Sequence, residues 1–314
     1  MSEQAFRPQP IDWQPEGAPL QYRTFAGLTL PYADLDRASA VILPVPYEST
    51  TEWQAGCRHG PQAIIDASQY LELYDLDLDR ETHTVGIATL PQVEPLLSSA
   101  QDMVDRVYRV VDSLIQRRKM VVMLGGEHSI SLGAVRAFRE HFPRLSVLQL
   151  DAHADLRDEY MGTRYGQACV MRRIMEICPV CQAGIRSLSR EEKQFLTQNG
   201  LAPLYMSDLA TTASALQRMV DALTDDVYVT IDADVLDPSI MPAVGTPEPD
   251  GMTWRQILEV IEAVALRKHI VGFDIVEFCP SQGPGSCAFM LAKLAYRIIG
   301  YALPSGGNQG EAGH

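Results

Sequence analysis

The sequence predicts an α/β fold in which helices cover both faces of a parallel sheet. Short apolar runs alternate with longer segments of helical periodicity, and this alternation is typical of parallel sheets. The strand candidates are apolar almost throughout, as strands buried on both faces usually are. In such folds ligands bind beyond the carboxyl ends of the strands, so polar clusters at those ends are the candidates for function.

The strands and helices follow from hydrophobic spacing. Strands are predicted at 40–45, 84–90, 120–124, 145–150, 181–187, 203–207, 227–232 and 270–275. Helices are predicted at 97–118, 129–141, 189–199, 211–224, 253–266 and 286–302. No composition break, long linker or repeat divides the chain, so we expect one domain over 1–314, of which residues 1–39 form an N-terminal extension. The Gly/Pro-rich tail at 304–314 is expected to be disordered.

The composition argues against two classes of partner. The formal net charge is −14 and no basic stripe offsets it, so neither a nucleic acid nor an anionic membrane is expected to bind. The acidity suits a cationic substrate, although solubility alone explains it as well. No apolar run is long enough to span a bilayer, and the polar, Pro-rich start has no secretory or transit character. We therefore expect a cytoplasmic protein.

The six cysteines include a Cys-x-x-Cys pair, Cys178 and Cys181. Such a pair can form half of a zinc site or a redox-active disulfide. No second pair and no nearby histidine complete a zinc site, and disulfide frameworks are rare in long cytosolic chains. The sequence favours structural thiols, with a regulatory disulfide as the alternative.

Three predicted strands end in polar sequences that could bind metal. They read Gly-Gly-Glu-His-Ser at 125–129, Asp-Ala-His-Ala-Asp at 151–155 and Asp-Ala-Asp at 232–234. In an extended chain alternate side chains share a face, so the acids and the histidine within each sequence should converge. The candidate ligands are His128, Asp151, His153, Asp155, Asp232 and Asp234.

This residue set points to two divalent cations. Four clustered carboxylates without a cation would repel one another and be driven toward protonation. Two imidazoles and four carboxylates without a thiolate favour Mn²⁺, Fe²⁺, Co²⁺ or Ni²⁺ over structural zinc, and bridging aspartates would let six residues serve two ions. A single Asp-x-Asp at a strand end is more often a turn or cap, but three such sequences together favour the metal site. The chain has no phosphate-loop spacing and no Gly-x-Ser-x-Gly.

The same sequences resemble the motifs of the ureohydrolase (arginase/agmatinase) family. The resemblance rests on GGEHS at 125–129, DAHADL at 151–156 and DADVLDPSIMPAVGTPEPDG at 232–251, and it extends from about Pro44 to Leu303. Within the family the chain is most similar to agmatinases and aminopropylagmatine ureohydrolases. The segment 44–61 resembles the family's first substrate-side loop.

The resemblance implies a three-layer α/β/α fold with a central, mostly parallel eight-stranded sheet, two manganese ions and a homo-oligomer, a trimer or hexamer. It assigns one ion to His128, Asp151, Asp155 and Asp232, and the other to Asp151, His153, Asp232 and Asp234. Asp155 would also accept a hydrogen bond from the attacking hydroxide and pass its proton to the leaving nitrogen. Glu277 matches the glutamate that pairs with the substrate guanidinium.

Agmatine or aminopropylagmatine is the expected substrate, cleaved to urea and an amine. Asp158 and Glu159, in the loop that we expect at the entrance, could bind the distal amine, or the loop could be solvated with no substrate role. The chain has Gly166-Gln167 where agmatinases usually have Ser-His, and the resemblance implies that this His shuttles protons or steadies the substrate. A glutamine can hydrogen-bond but cannot titrate. Cys287 stands where a small residue such as Thr is common. These departures leave open guanidinobutyrate, guanidine, arginine or formiminoglutamate as substrate, and a non-catalytic metal-binding relative.

Overall fold

The computed structural model describes residues 23–211 and 213–303. The strands are β1 (Ala40–Val45), β2 (Tyr74–Asp75), β3 (Arg80–Glu81), β4 (Ile87–Thr89), β5 (Met120–Gly125), β6 (Leu145–Leu150), β7 (Val180–Ile185), β8 (Leu204–Tyr205), β9 (Asp226–Asp232) and β10 (His269–Val276). The α-helices are α1 (Gly60–Ser68), α2 (Ala100–Gln116), α3 (Ser131–His141), α4 (Val170–Met175), α5 (Arg190–Gln198), α6 (Met206–Thr211), α7 (Ala213–Ala222), α8 (Trp254–Ala265) and α9 (Ser286–Ala302).

One sheet organises the molecule. Eight strands lie in the order β4-β1-β5-β10-β9-β6-β7-β8, and each pairing between neighbours is parallel. β2 and β3 form a separate antiparallel pair. Alternate strand residues enter different cores: Ile42 belongs to the core that α1, α7, α8 and α9 cover, whereas Val41 and Leu43 belong to the core that α2, α3, α4 and α5 cover. The three-layer fold with an eight-stranded parallel sheet is therefore confirmed.

Most predicted elements lie within three residues of their observed bounds, and the differences have local causes. The predicted strand 84–90 shortens to β4, because Thr82–Val85 forms a 3₁₀ turn that ends at Gly86 with φ 75°. The predicted strand 203–207 shortens to β8, because α6 begins at Met206. The short helices α1 and α4 were not predicted, since six to nine residues are too few for a clear helical period.

The two predicted terminal segments, the N-terminal extension and the C-terminal tail, lie largely outside the residues that the structure describes. Residues 1–22 of the predicted N-terminal extension, and the predicted disordered tail at 304–314, lie outside the described residues. That the chain forms a single domain stays a prediction. Among the described helices, none combines the length and the apolar character that crossing a membrane requires.

The Cys178 and Cys181 side chains pack against different cores. Cys178 is buried beside the helices α2 to α5, whereas Cys181 packs against the opposite core and lies near the Met219 carbonyl. All six cysteines are free thiols. This placement is what a pair of structural thiols would show.

Candidate active site

Four neighbouring strands deliver the predicted site residues to one edge of the sheet. β5, β10, β9 and β6 are adjacent in that order and parallel, so their carboxyl ends meet. His128 follows β5, Glu277 follows β10, and the Asp232 and Asp151 motifs follow β9 and β6. The central position of these strands explains why residues from four distant parts of the chain meet.

Each aspartate motif closes by a hydrogen bond to its own backbone, not by extended geometry as the sequence predicted. The Asp151 Oδ1 atom accepts from the His153 backbone N–H at 2.6 Å, and the Asp232 Oδ1 atom accepts from the Asp234 N–H at 2.9 Å. A 3₁₀ turn over Ala233–Val235 follows β9. Short Asp side chains favour such local bonds, and the turns aim the carboxylates inward.

Gly126 allows three loops to meet beside this cluster. Its N–H donates to the Val45 carbonyl at 2.9 Å, and its carbonyl accepts from the Glu277 N–H at 2.8 Å. A side chain at this position would collide with the Tyr47 carbonyl. Glycine is therefore required by close backbone approach.

The six predicted ligands form one compact cluster. The His128 Nδ1 atom lies 3.2 Å from Asp151 Oδ2, 3.2 Å from Asp155 Oδ2 and 3.6 Å from Asp232 Oδ2. The His153 Nδ1 atom lies 2.9 Å from Asp234 Oδ2 and 3.8 Å from Asp151 Oδ1. Two sets of three ligand atoms, each within 4.8 Å of one another, share Asp151: His128, Asp151 and Asp232, and Asp151, His153 and Asp234. Such a pair of sets could hold two cations with Asp151 between them.

The charges in the cluster are not balanced by the chain itself. Burial, together with Asp155 and Asp234, raises the pKa of Asp151 to about 7. Burial and the carboxylates of Asp234 and Asp151 raise the pKa of Asp232 well above its ordinary value. Burial opposes a charge on His153, yet Asp234 and Asp151 raise its pKa to about 11. Asp151 and Asp232 therefore hold protons more tightly than ordinary carboxyls, and divalent cations would take the place of those protons.

A buried chain of hydrogen bonds fixes the tautomer of His128. Tyr228 Oη donates to Asp274 Oδ2 at 2.7 Å, and Thr230 Oγ1 donates to Asp274 Oδ1 at 2.6 Å. The Thr230 oxygen is then free to accept from His128 Nε2, which lies 2.8 Å away. His128 Nδ1 is buried without a hydrogen-bond partner in the described structure, so its lone pair faces the carboxylates. This arrangement is typical of a metal-binding histidine and its supporting carboxylate, so the residues fit a cation.

A cavity of about 260 Å³ opens onto the cluster. Its lining includes His128, His153, Asp155 and Asp232, and Glu277 and Gln167 line it as well. The Gln167 Oε1 atom is buried and has no hydrogen-bond partner within the described residues. A small polar ligand could therefore contact the cluster, Glu277 and Gln167 at once.

Glu277 and Asp155 both have left-handed backbone conformations, with φ 60° and 53°. This region is disfavoured for residues with a side chain and persists where neighbours hold it. The Glu277 Oε1 atom accepts from the His128 N–H at 2.6 Å, which leaves the second carboxylate oxygen for a ligand. The Asp155 carbonyl accepts from the N–H groups of Met171 and Arg172 at 3.0 and 3.2 Å.

Comparison with known proteins agrees with the fold. The model of the Arginase family matches residues 38–300. The chain is 36% identical over 279 residues to an N(1)-aminopropylagmatine ureohydrolase of Synechocystis sp., covering 86% of this chain and 90% of that protein. It is 36% identical over 282 residues to an agmatinase of Pyrococcus horikoshii, covering 89% and 97%. The crystal structure of agmatine ureohydrolase of Thermoplasma volcanium superposes with a TM-score of 0.81 at 30% identity, covering 90% of this chain and 95% of that one.

The chain belongs to the arginase family. The resemblance inferred from its motifs is confirmed, including its similarity to proteins named agmatinase and aminopropylagmatine ureohydrolase. The structure brings His128, Asp151, His153, Asp155, Asp232, Asp234, Glu277 and Gln167 to one site.

Two of the predicted substrate-binding residues of this arginase-family chain lie elsewhere. Asp158 is exposed and pairs with Arg173 at 2.5 Å and Arg164 at 2.9 Å, which hold the pKa of its carboxyl down at about 2. Neither Asp158 nor Glu159 is among the residues that line the cavity. Their role in substrate binding stays a prediction, and this placement does not favour it.

The sequence interpretation missed several residues that support the site. Buried Glu127 accepts from the N–H groups of Ser49 and Thr50 and from the Ser129 hydroxyl. These bonds connect the loop that follows β1 to the 3₁₀ turn that begins at His128. Asp274 had a signal in the sequence, a carboxylate in the middle of the apolar run of β10, because a buried charge in a core strand requires partners.

Proposed function

We propose that the chain hydrolyses a guanidino C–N bond and releases urea and an amine, with agmatine or aminopropylagmatine as substrate. The observation that carries the proposal is the buried His/Asp cluster that shares one cavity with the free side of Glu277. The cluster suits activation of water, and Glu277 suits a planar cation. The proposal includes a cytoplasmic homo-oligomer, a trimer or hexamer.

Two divalent ions would complete the site. His128, Asp151, Asp155 and Asp232 would hold one, and Asp151, His153, Asp232 and Asp234 the other, with Mn²⁺ favoured and Ni²⁺, Co²⁺ or Fe²⁺ also compatible with these ligands. When bound, such a pair supplies a nucleophile at neutral pH and Lewis-acid stabilisation of developing charge.

The chain's own residues would bind the substrate and move the proton. The second Glu277 oxygen would accept charge-assisted hydrogen bonds from the guanidinium and orient its plane. Burial and the neighbouring Glu127 raise the pKa of Glu277 well above its ordinary value, so a guanidinium partner would stabilise its ionised form. Asp155 would accept the proton of the attacking water and deliver it to the leaving nitrogen. Gln167 would hydrogen-bond the substrate without taking part in proton transfer.

The sequence also allows two other functions. Guanidinobutyrate, guanidine, arginine or formiminoglutamate would use the same metal ligands. A non-catalytic relative would bind metal and a cationic ligand without turnover, and Gln167 is the feature that favours it. The relatives' names support the agmatinase-type reaction over both.

The test is urea release by protein loaded separately with Mn²⁺ and Ni²⁺. The panel comprises agmatine, aminopropylagmatine, arginine, guanidinobutyrate and guanidine, and formiminoglutamate is assayed for formamide. We expect urea from agmatine or aminopropylagmatine. Two metals bound per chain without any product would overturn the enzyme assignment. Gln167→His would then show whether the missing histidine is the cause.

A further inference from the structure

Glu52 shares the cavity with the catalytic candidates but belongs to a different loop. It follows β1 in the segment that Glu127 holds through Thr50, and it lines the cavity together with Asp155, Glu277 and Gln167. Its side chain is exposed, so it can reach solvent and an entering ligand. No feature of the metal motifs identifies this residue.

The other acidic residues of the cavity already have partners. The Glu192 carboxylate caps α5 by accepting from the Ser189 N–H at 2.6 Å, and its other oxygen accepts from the Leu156 N–H at 2.8 Å. One Glu277 oxygen accepts from the His128 N–H. Asp155 and Asp232 lie against His128.

Glu52, in contrast, has no hydrogen bond or ion pair with the rest of the described chain. Burial and repulsion by Asp155 raise the pKa of its carboxyl, and the opposing attraction of Arg157 and His153 does not cancel that rise. Gln167 Oε1 is a second acceptor without a partner in the described structure. A cavity in which Glu52 and Gln167 join the free oxygen of Glu277 as acceptors suits a ligand that supplies N–H donors and positive charge.

We propose that Glu52 is a specificity-determining residue that binds a second cationic group on the substrate, an ammonium joined to the guanidinium by an aliphatic chain. The inference rests on the proposed guanidino hydrolysis and narrows its substrate class. Glu277 binds the guanidinium, and Glu52 binds the ammonium at the other end of the substrate. Substrates that end in a carboxylate are disfavoured, because Glu52 repels them.

Arg157 is the feature that would argue for the opposite specificity. It lines the same cavity and could bind a carboxylate tail. Its guanidinium, however, lies over the Tyr160 ring at 4.3 Å from the ring centroid. The guanidinium therefore already has a cation–π partner. The experiment therefore includes a carboxylate-tailed substrate to decide between the two residues.

The experiment compares three guanidino compounds of similar length that differ in their tails: agmatine, butylguanidine and 4-guanidinobutyrate. We expect the metal-loaded wild type to prefer agmatine. Glu52→Gln should raise the KM for agmatine about tenfold, as expected for an exposed charge-assisted contact, with kcat changed less than about twofold. The KM for butylguanidine should stay within about twofold. Glu52→Lys should shift the preference toward 4-guanidinobutyrate.

Glu191→Gln is the matched control, since Glu191 is exposed on α5 and does not line the cavity; it should change no KM. Equal losses for agmatine and butylguanidine in Glu52→Gln would overturn the inference, as would a loss of agmatine selectivity in Glu159→Gln alone. The inference would also be overturned if the wild type preferred 4-guanidinobutyrate and Arg157→Gln abolished that preference. If the wild type releases no urea from any compound, the proposed function fails, and this outcome is separate from failure of the Glu52 assignment.

Discussion

Two clusters of buried charge, one around Arg297 and one around His128 and His153, differ in whether the chain neutralises them. At the closed cluster, Arg297 donates from Nε and Nη2 to the two Asp75 oxygens at 2.8 Å each, and from Nη1 to Asp77 at 2.5 Å. At the His/Asp cluster, four carboxylates surround two imidazoles. The first is complete within the chain, and the second would be completed by the cations that we propose.

The difference separates a structural use of charge from a functional one. A bidentate Arg–carboxylate pair satisfies its members and stabilises the ribbon of β2 and β3 against α9. A cluster of acids raises its own pKa values and weakens the fold unless a ligand binds. We therefore expect changes at Arg297 to affect stability, and changes at the His/Asp cluster to affect metal binding and activity.

The largest expected effect is at Asp234. Asp234→Ala removes a carboxylate that pairs with His153 at 2.9 Å, and loss of a first-sphere ligand should lower kcat/KM by more than the roughly 100-fold typical of outer-sphere changes. Metal analysis should show fewer than two ions per chain. Asp237→Asn serves as the comparison, since Asp237 lies three residues further along the chain and accepts from the Ser239 and Gly251 N–H groups, outside the cluster. Full metal content with full activity in Asp234→Ala would contradict the two-metal assignment.

The next largest effect is at Arg297. Arg297→Met leaves Asp75 buried without its partner and should reduce the free energy of unfolding by about 3–5 kcal/mol. Chemical denaturation measures this loss. The metal content and the activity per folded molecule should stay at wild-type values. The double variant with Asp75→Asn should recover part of the stability, and no recovery would mean that the pair is not the cause.

A smaller effect is expected at Thr230, which links His128 to Asp274. Thr230→Val has a similar shape but cannot accept from His128 Nε2, so metal affinity or activity should fall about 10–100-fold. Competition with a chelator measures the affinity. Thr224→Val, which loses a hydrogen bond to Ser146 at the other edge of the sheet, should leave the affinity unchanged. Equal behaviour of the two variants would remove Thr230 from the site.

The smallest effect is a pH dependence of the metal-stripped protein. Asp151, with its pKa raised to about 7, and His153, with its pKa raised to about 11, bind more protons folded than unfolded. The free energy of unfolding should then fall as pH rises between about 4 and 11, by about 1.4 kcal/mol per pH unit for each extra proton. Cations replace these protons, so the gain in Tm on adding Mn²⁺ should be larger at about pH 8.5 than at about pH 6. A gain that shrinks with pH would contradict the charge argument.

The sequence predicted the parts of the site that depend on short-range spacing. Asp151, His153 and Asp232 could be placed in one cluster because strand ends in parallel sheets meet at one edge, and their proposal as metal ligands needed only that topology. Asp274 and Thr230 could not be linked to His128 from the sequence, since their contacts depend on the order of β5, β10 and β9.

The loop residues around the cavity were harder to predict than the residues at the strand ends, because their positions depend on loop conformation. Asp158 was chosen because it is acidic and near the ligand motif, but its pairing with Arg173 joins residues fifteen positions apart through a loop conformation that no periodicity fixes. Glu52 lies about a hundred residues from Asp155 in sequence, and only the fold brings its loop to the cavity. Loop residues gain their roles from tertiary structure, so the proposal for Glu52 required the folded structure.

The most direct test of the account is titration of the metal-stripped protein with Mn²⁺, followed by electron paramagnetic resonance. We predict two ions per chain, a spectrum showing magnetic coupling between them, and loss of that coupling in Asp232→Ala, because Asp232 would be a ligand to both ions. One uncoupled ion in the wild type, or two coupled ions retained in Asp232→Ala, would contradict the claim that the His/Asp cluster is completed by a pair of cations.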